Sequence, residues 1–237
     1  MPSPTSPPQG LGTVLVTGAA SGLGAATVAA VREAGGRPLA LDRVPVDGVP
    51  HEVVDLSDTR AAEAAVARLV DGAGGTLDAV VTAAGMDFPA PFEKLDGADW
   101  DRIVMVNLLG TAATVRGAMP YLRRSDNPRI VTVSSTLGHR VFGDATAYTA
   151  SKFGVVGFTR GLQAELKGEV GVTLLTPGGM HTAFFDDRDA QYKPGPDAKL
   201  NRAEDVAMNV VHVLTQPPGC HVYELVVASM WEDSWPA

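Results

Sequence analysis

Short apolar segments alternate with Ala-rich segments along almost the whole chain, and this alternation limits the possible folds more than any other feature. The first apolar segment, Thr13 to Gly18, is rich in β-branched residues and ends in a glycine-rich turn, which is typical of a buried strand. The Ala-rich segment Ala25 to Ala34 follows and stops at Gly35-Gly36, where a helix can be capped. Strands that alternate with helices form parallel sheets covered on both faces. The pattern therefore predicts an α/β fold, a doubly wound parallel sheet in three layers.

The remaining predicted elements continue this alternation. Strands are expected at Pro38 to Asp42, Glu52 to Leu56, Leu77 to Ala83, Arg129 to Ser134, Val172 to Thr176 and Glu224 to Val227. Helices are expected at Thr59 to Val70, Trp100 to Val115, Tyr148 to Leu166 and Ala203 to Leu214. With no repeat and no interdomain linker, residues 11–237 are predicted to form one domain. The first ten residues, rich in Pro and Ser, are predicted to be a disordered tail rather than a signal peptide.

Composition narrows the class of function. The 237 residues carry a net charge of -8, and such a chain is expected to bind neither nucleic acid nor an anionic membrane, because both would repel it. The sequence contains no run of 18 apolar residues, so no membrane-spanning helix is predicted. The single cysteine, Cys220, excludes a disulfide framework within the chain and favours a cytoplasmic location. The five histidines have no metal-ligand spacing, so no metal site is expected.

The glycine-rich turn after the first strand predicts a dinucleotide site of the Rossmann type. Thr17 to Gly24 (TGAASGLG) joins a strand to a helix, where glycines let a pyrophosphate approach the helix N-terminus. Asp42 ends the next strand, 18 residues after Gly24, where a carboxylate can accept hydrogen bonds from both ribose hydroxyls. That carboxylate also repels a 2′-phosphate, which favours NAD. The neighbouring Arg43 could turn toward a phosphate, so NADP stays possible.

Tyr148 and Lys152 form a second candidate constellation. Residues four apart on a helix share a face, so the ammonium group can stabilise a phenolate and lower the tyrosine pKa toward neutrality. Ser135 ends a predicted strand 13 residues earlier, and its hydroxyl can reach the same pocket. These groups suit acid–base chemistry at a carbonyl or alcohol oxygen.

These motifs occur in the order and with the spacing of a known family. From about Leu11 to the C-terminus the chain resembles the short-chain dehydrogenase/reductase family in its common short-subunit form. The family's T-G-x-x-x-G-x-G motif is found at Thr17 to Gly24, and its P-G-x-x-x-T motif at Pro177 to Thr182. Its N-N-A-G motif stands here as Thr82-Ala83-Ala84-Gly85. Where the family has asparagine, Thr82 is expected to hydrogen-bond in its place. The catalytic set that the resemblance implies is Asn107, Ser135, Tyr148 and Lys152.

The resemblance also implies a role for each matched residue. Tyr148 would exchange a proton with the substrate oxygen, Ser135 would bind that oxygen, and Asn107 would position a water that relays the proton toward Lys152. The cofactor would be bound by the two motifs and by residues flanking the ribose and adenine: Gly18, Ser21, Gly22, Leu23, Gly24, Asp42, Arg43, Asp55, Leu56, Ala84, Gly85, Tyr148, Lys152, Pro177, Gly178 and Thr182. A homo-oligomer, usually a tetramer, is implied as well, built by the helices near 100–115 and 150–166 and by the terminal strand.

Several positions keep two interpretations. Pro, Gly and charged residues cluster in Asp186 to Lys199, so residues 183–200 form either an active-site lid or a surface loop. His139 either contacts substrate or lies in an exposed loop, and His181 is expected to face solvent. Phe184, Phe185 and Tyr192 either close an apolar lid over the nicotinamide or are ordinary packing residues. Trp231 and Trp235 lie either at an interface or pocket rim or in the core.

Three functions fit the pattern. The first is an oxidoreductase that transfers a hydride between a nicotinamide cofactor, preferably NAD, and a secondary alcohol or ketone. The second is an NAD-binding sensor or scaffold without catalysis, and the third is a lyase or isomerase of the same fold. The sequence of the pocket does not identify the substrate.

Overall fold

The computed structural model describes residues 10–235 and contains a seven-stranded parallel sheet. Its strands are β1 (Thr13–Thr17), β2 (Arg37–Asp42), β3 (His51–Val53), β4 (Ala79–Thr82), β5 (Arg129–Val133), β6 (Gly171–Pro177) and, last in the chain, β9 (Glu224–Val227). Their order across the sheet is β3-β2-β1-β4-β5-β6-β9, and every neighbouring pair is parallel. The predicted fold class is therefore confirmed. The predicted tail lies, apart from Gly10, outside the described residues.

Helices cover both faces of this sheet. They are α1 (Gly22–Glu33), α2 (Thr59–Gly72), α3 (Gly97–Val104), α4 (Thr111–Leu122), α5 (Thr146–Glu165) and α6 (Ala203–Leu214). On one face α2 packs on α4 over a core that includes Leu15 and Ile130, and on the other α1 packs on α6 over Val16 and Val131. Strands β1, β4 and β5 are buried throughout because both of their faces are covered.

The site lies where the strand order reverses. From β1 the chain first winds outward through β2 and β3, then returns and winds the other way from β4. The loops after β1 and β4 consequently diverge and leave a crevice beyond the carboxyl ends of the strands. Open α/β sheets bind their ligands at this topological switch point.

Two local features differ from the sequence prediction. The helix predicted at Trp100 to Val115 begins at Gly97 and ends at Leu122, and the turn Met105–Gly110 between α3 and α4 is a π-helix. A second, two-stranded sheet pairs β7 (Met180–His181) with β8 (Asn201–Arg202), and it closes the base of the predicted lid segment. Neither feature has a hydrophobic period that a sequence pattern could reveal.

The continuous helical run Gly97–Leu122 is long and apolar enough to cross a membrane by length and composition alone. It belongs to the core, because α4 packs on α2 and buries Ala113, Ala118 and Leu122. Core helices of globular proteins meet the same criterion, so the run gives no argument for a membrane-spanning segment.

Candidate active site

A cavity of about 740 Å³ occupies the crevice. Its walls come from the turns after β1, β2, β4 and β5, from the first turns of α5, and from two later segments, 177–192 and 232–234. The cavity therefore extends from the glycine-rich turn to Tyr148, both of which line it.

The glycine-rich turn depends on close backbone approach. Gly18 has φ +67°, and a Cβ there would lie 2.7 Å from the Cα of Ala84. Gly22 has φ +52° and lies against the side chain of Thr182, so the P-G-x-x-x-T segment lies beside the start of α1. A Cβ on Gly24 would clash with the Gly18 carbonyl. Gly24 thus lets α1 pack on β1, whereas the earlier glycines shape the wall of the cavity.

Asp42 is fixed by backbone groups at the end of β2. One carboxylate oxygen accepts from the Ala20 N–H at 2.9 Å, and the other from the Val44 N–H at 3.2 Å. These bonds orient the carboxylate at the rim of the cavity, which Arg43 also lines. The acid therefore lies between the glycine-rich turn and the position expected for a ribose.

Asp55 and Leu56 form the far end of the cavity with an arginine that the sequence analysis missed. Arg102, on α3, donates to Asp55 at 2.6 Å and also lines the cavity. Burial would raise the pKa of Asp55, but hydrogen bonds from Ser57 and Arg102 outweigh it and lower that pKa to about 2. Arg102 follows Asp55 by 47 residues, so no local pattern indicates the pair.

Ser135, Tyr148 and Lys152 meet at the other end. Ser135 follows β5 and is held by its hydroxyl, which accepts from the Leu137 N–H at 3.1 Å. Tyr148 and Lys152 stand one turn apart on α5, with the lysine Nζ 5.6 Å from the centre of the tyrosine ring. Lys152 is 4% exposed, and its Nζ donates to the Val133 carbonyl at 3.1 Å.

Burial dominates the ionisation of both α5 groups. It raises the pKa of Tyr148 to about 12, with the charge of Asp87 adding to the rise and the Ser135 hydroxyl and Arg188 opposing it. Burial lowers the pKa of Lys152 to about 8, against the charge of Asp87. The pKa of Tyr148 is therefore raised in this structure and not brought toward neutrality as expected, because desolvation of the phenolate is its largest contribution.

Asn107 lies behind the cavity wall in the π-helical turn. Its Oδ1 accepts from the Met86 N–H at 2.9 Å, and its Nδ2 donates to the Met86 carbonyl at 2.9 Å and to Ser151 Oγ at 3.0 Å. The Ser151 hydroxyl in turn donates to the Tyr148 carbonyl. Asn107 therefore ties the loop after β4 to the first turn of α5, and its role in a proton relay stays a prediction.

Thr82 does not take over the role of the asparagine that the family motif carries. Its Oγ1 is buried and has no hydrogen-bond partner among residues 10–235. The neighbouring Ala84 N–H donates instead to the Thr17 hydroxyl at 3.1 Å. The expectation that Thr82 hydrogen-bonds is thus wrong. The hydroxyl that accepts from the Ala84 N–H is that of Thr17, at the end of β1.

The segment 183–192 covers the substrate end of the cavity. Short helical turns at Ala183–Phe185 and Ala190–Tyr192 shape it. Phe184 lies 5.8 Å from the ring of Tyr148, between ring centres, and Tyr192 donates to Asp144 at 2.8 Å. Arg188 forms an ion pair with Asp87 at 2.8 Å. The placement fits a lid over the active site, whereas the mobility of such a lid stays a prediction.

The C-terminal segment, residues 232–234, forms the remaining wall of the cavity, and His139 packs beside this segment and outside the cavity. The His139 ring hydrogen-bonds with Thr176 Oγ1 at 3.1 Å and packs edge-on against Trp235. It does not line the cavity, so the expected substrate contact is corrected to a packing role. Glu232 accepts from the Gly179 N–H at 2.9 Å, and Trp231 is exposed beneath Lys199. His181 is exposed as expected.

A match with a family model decides the family. Residues 12–193, most of the chain, match the model described as short chain dehydrogenase. The chain belongs to the short-chain dehydrogenase family. It is an oxidoreductase of that family.

Relatives and solved structures agree with this assignment. An uncharacterised oxidoreductase of Staphylococcus aureus strain N315 is 30% identical over 230 residues, covering 90% of this chain and 95% of the relative. A (2S)-[(R)-hydroxy(phenyl)methyl]succinyl-CoA dehydrogenase subunit of Thauera aromatica is 32% identical over 225 residues, covering 86% and 90%. An alcohol dehydrogenase of Thermococcus sibiricus, solved with 5-hydroxy-NADP, has the same fold, with a TM-score of 0.81 at 24% identity and coverage of 93% and 97%.

The short-chain dehydrogenase motifs map onto the cavity with three exceptions. Gly24 and Asn107 lie behind its wall, and His139 faces away from it. The other expected cofactor and catalytic residues line it: Gly18, Ser21, Gly22, Leu23, Asp42, Arg43, Asp55, Leu56, Ala84, Gly85, Ser135, Tyr148, Lys152, Pro177, Gly178 and Thr182. The sequence analysis did not find the contributions of Asp87, Arg102, Arg188 and Glu232, each of which has a partner distant in the chain.

The residues present fit a nicotinamide dinucleotide. A Cβ at Gly18 would clash with the backbone of Ala84, so glycine is needed for the turn to pack on the loop after β4. Gly18 and Gly22 both line the cavity beside the start of α1, where backbone N–H groups can receive a pyrophosphate. Lys152 is buried with one of its three N–H bonds paired among the described residues, which leaves donors for ribose hydroxyls. By contrast, no group of three His, Cys, Asp or Glu side chains in the described range could hold a metal ion.

Proposed function

We propose that this short-chain dehydrogenase transfers a hydride between a nicotinamide cofactor, preferably NAD, and a secondary alcohol or ketone, with Tyr148 as general acid and base. The observation that carries the proposal is the convergence of Ser135, Tyr148 and Lys152 from two elements on one end of the cavity. The opposite end has the glycine-rich turn and an oriented Asp42. A dinucleotide along the cavity would bring its nicotinamide to the tyrosine.

The chain's own residues supply position and the proton. When bound, NADH supplies the hydride to the carbonyl carbon. Tyr148, protonated at neutral pH because its pKa lies near 12, donates its proton to the substrate oxygen. Ser135 orients that oxygen, and Lys152 holds the ribose of the cofactor. In the oxidation direction the phenolate accepts the proton from the alcohol, which requires higher pH.

The preference for NAD rests on Asp42. Its carboxylate is held at the cavity rim by two backbone N–H groups and cannot turn away without losing both. A fixed negative charge favours a ribose diol and disfavours a 2′-phosphate. Arg43 lines the same rim and is the feature that would favour NADP.

Location and assembly belong to the same proposal. The fold is compatible with the cytoplasm, and the substrate is a small molecule. Like other members of its family, the chain is proposed to form a homo-oligomer, a tetramer or a dimer, and to bind neither nucleic acid nor a membrane.

Substitution of Tyr148 by Phe tests the mechanism. The variant keeps the ring and its contact with Phe184, so the fold and the dissociation constant for NADH are expected to stay unchanged. Turnover of ketones or secondary alcohols, found by screening a panel at both cofactors, is expected to fall by about 10²–10⁴-fold, the usual contribution of a general acid or base. Lys152→Ala should weaken cofactor binding as well.

The outcomes separate the three candidate functions. Loss of turnover with intact NADH binding supports the oxidoreductase. Binding of NADH without turnover of any alcohol or ketone by the wild-type enzyme favours a sensor or scaffold. Conversion of a substrate without net formation or consumption of NADH favours a lyase or isomerase. Near wild-type turnover by Tyr148→Phe contradicts the proposed acid–base role.

A further inference from the structure

A buried ion pair lies within the substrate end of the cavity. Asp87 follows the Ala84-Gly85 turn after β4, and Arg188 belongs to the covering segment 101 residues later. The Arg188 Nη2 donates to the Asp87 carboxylate at 2.8 Å, and their side chains are 13% and 4% exposed. Both residues line the cavity with Tyr148. Buried charges are expensive to desolvate, so a buried ion pair between two loops indicates more than a surface contact.

The arginine also organises the aromatic cover. Its guanidinium carbon lies 4.8 Å from the ring centre of Phe184 and 4.7 Å from that of Phe185. The two rings pack edge to face at 5.5 Å, and Phe184 rests on Tyr148. The ion pair therefore connects the loop after β4 to the rings that cover the reacting end of the cavity, with cation–π contacts on two of its sides.

Charge at this end is unfavourable for an anion. The loop after β4, the covering segment and the C-terminal segment bring four carboxylates to the cavity lining, Asp87, Asp187, Glu232 and Asp233, whereas Arg188 is the guanidinium that these segments contribute. That guanidinium is already paired with Asp87. Its Nε is nevertheless buried and has no partner among the described residues. The arginine thus keeps hydrogen-bonding capacity that a neutral acceptor, such as a second carbonyl oxygen, can use.

We propose that the Asp87–Arg188 pair determines substrate specificity: it holds Phe184 and Phe185 over the cavity and selects uncharged carbonyl substrates with an apolar body over their carboxylate analogues. Asp87 neutralises the arginine and fixes its position, while the phenylalanines present an apolar surface beside the reacting oxygen. This inference rests on the proposed carbonyl reduction and names the substrate class for it.

A matched pair of probes measures the selectivity. Methyl benzoylformate and the benzoylformate anion share the ketone and the aromatic ring and differ in one negative charge. The wild-type enzyme is expected to reduce the ester with a kcat/KM at least about tenfold above that for the anion. Asp87→Asn frees the guanidinium for the substrate carboxylate and should lower this ratio by about tenfold or more, mainly through KM for the anion.

Two further variants separate specificity from simple loss of structure. Arg188→Gln leaves Asp87 without its partner and should lower turnover of both probes without a gain for the anion. The double variant Asp87→Asn/Arg188→Gln removes both charges and should recover ester turnover relative to the single variants, because neither group is left unpaired. Asp189→Asn, which removes an exposed charge next to Arg188, is the matched control and should keep the wild-type ratio.

Amide hydrogen exchange tests the pair without relying on turnover. In the NADH-bound enzyme, peptides covering residues 183–192 should exchange at least about tenfold faster in Asp87→Asn and Arg188→Gln than in the wild type and in Asp189→Asn. Unchanged exchange in both single variants overturns the positioning role.

The remaining outcomes distinguish this inference from the proposed function. Equal reduction of ester and anion by the wild type, or an unchanged ratio in Asp87→Asn, overturns the selectivity while leaving carbonyl reduction intact. Turnover of other ketones with neither probe accepted overturns it as well. If no ketone or alcohol is turned over at all, the proposed function and the selectivity fail together, and the exchange experiment alone decides whether the pair holds the cover.

Discussion

Asp42 shows how much a single side chain in this site depends on its backbone surroundings. Its position at the end of β2 was predictable from the spacing after the glycine-rich turn. Its orientation was not, because one of the two N–H groups that hold it belongs to Ala20, in the glycine-rich turn 22 residues earlier, and only the other, of Val44, is local. The same holds for Tyr148, whose place on α5 follows from the sequence but whose ionisation is governed by burial and by Asp87 and Arg188.

Cofactor choice is predicted to change with Asp42. The wild-type enzyme should bind NADH at least about tenfold more tightly than NADPH, and Asp42→Ala should remove most of that preference, since a charged hydrogen bond contributes roughly 1.5–3 kcal/mol. Fluorescence titration of both reduced cofactors measures the dissociation constants. Asp47→Ala, an exposed acid in the following loop, is the control and should leave the preference unchanged. Equal affinities in the wild type would show that Arg43 governs the choice.

The pH dependence of the reaction follows from the raised pKa of Tyr148, near 12. Alcohol oxidation needs the phenolate, whose fraction grows about tenfold per pH unit below the pKa, so kcat/KM for oxidation should rise steadily from pH 6 to 9. Ketone reduction needs the phenol and should lose nothing to tyrosine ionisation in this range. The groups that face the phenol are Ser135, Asp87, Arg188 and Lys152.

A substitution at Asp87 checks the origin of that pH dependence. The carboxylate raises the tyrosine pKa, so Asp87→Asn should move the rising limb for oxidation to lower pH. Profiles of kcat/KM measured with a slow alcohol, for which chemistry limits the rate, give the comparison, and Asp189→Asn should show no shift. A profile for the wild-type enzyme that falls from pH 6 to 9 would contradict the assignment of Tyr148 as the base.

The elements of the sheet were largely predictable from the sequence, and the contacts between distant elements were not. Strand-length apolar runs and Ala-rich helices have clear periods, which is why β1 and α6 lie where the sequence places them. The π-helical turn Met105–Gly110 has no such signal, although it decides how Asn107 meets Met86 and lets Gly110 approach Leu56 closely.

The segments that line the cavity near Tyr148 were also predictable as segments, but their contacts with distant residues were not. The composition of Asp186 to Lys199 indicated either a lid or a surface loop, and three of its residues, Asp187, Arg188 and Tyr192, line the cavity. That it is attached through Arg188 to Asp87 and through Tyr192 to Asp144 depends on tertiary packing across 101 and 48 residues. Charged residues in a polar loop have many possible partners, so only the folded arrangement identifies the pair that is buried.

At the scale of the whole molecule, several apolar side chains are exposed on the helices that are expected to form the interface between copies of the chain. Met105 and Leu109 on the Gly97–Leu122 run are 37% and 42% exposed, and Phe153 on the adjoining α5 is 44% exposed. The π-helical turn that carries Met105 and Leu109 contacts α5, so these residues lie on neighbouring elements. Apolar side chains grouped in this way are typical of an interaction surface.

This surface is predicted to be the face on which copies of the chain pack. The wild-type protein should run as a tetramer or dimer in size-exclusion chromatography with light scattering, and Leu109→Glu should lower the oligomeric state, because it introduces a charge that the interface would have to desolvate. Val53→Glu adds the same charge at an exposed position of the edge strand β3, which the prediction leaves outside the interface, and should keep the wild-type mass. A monomeric wild-type protein contradicts the assembly, whereas an oligomer unaffected by Leu109→Glu places the interface elsewhere, with the edge strand β9 as the next surface to test.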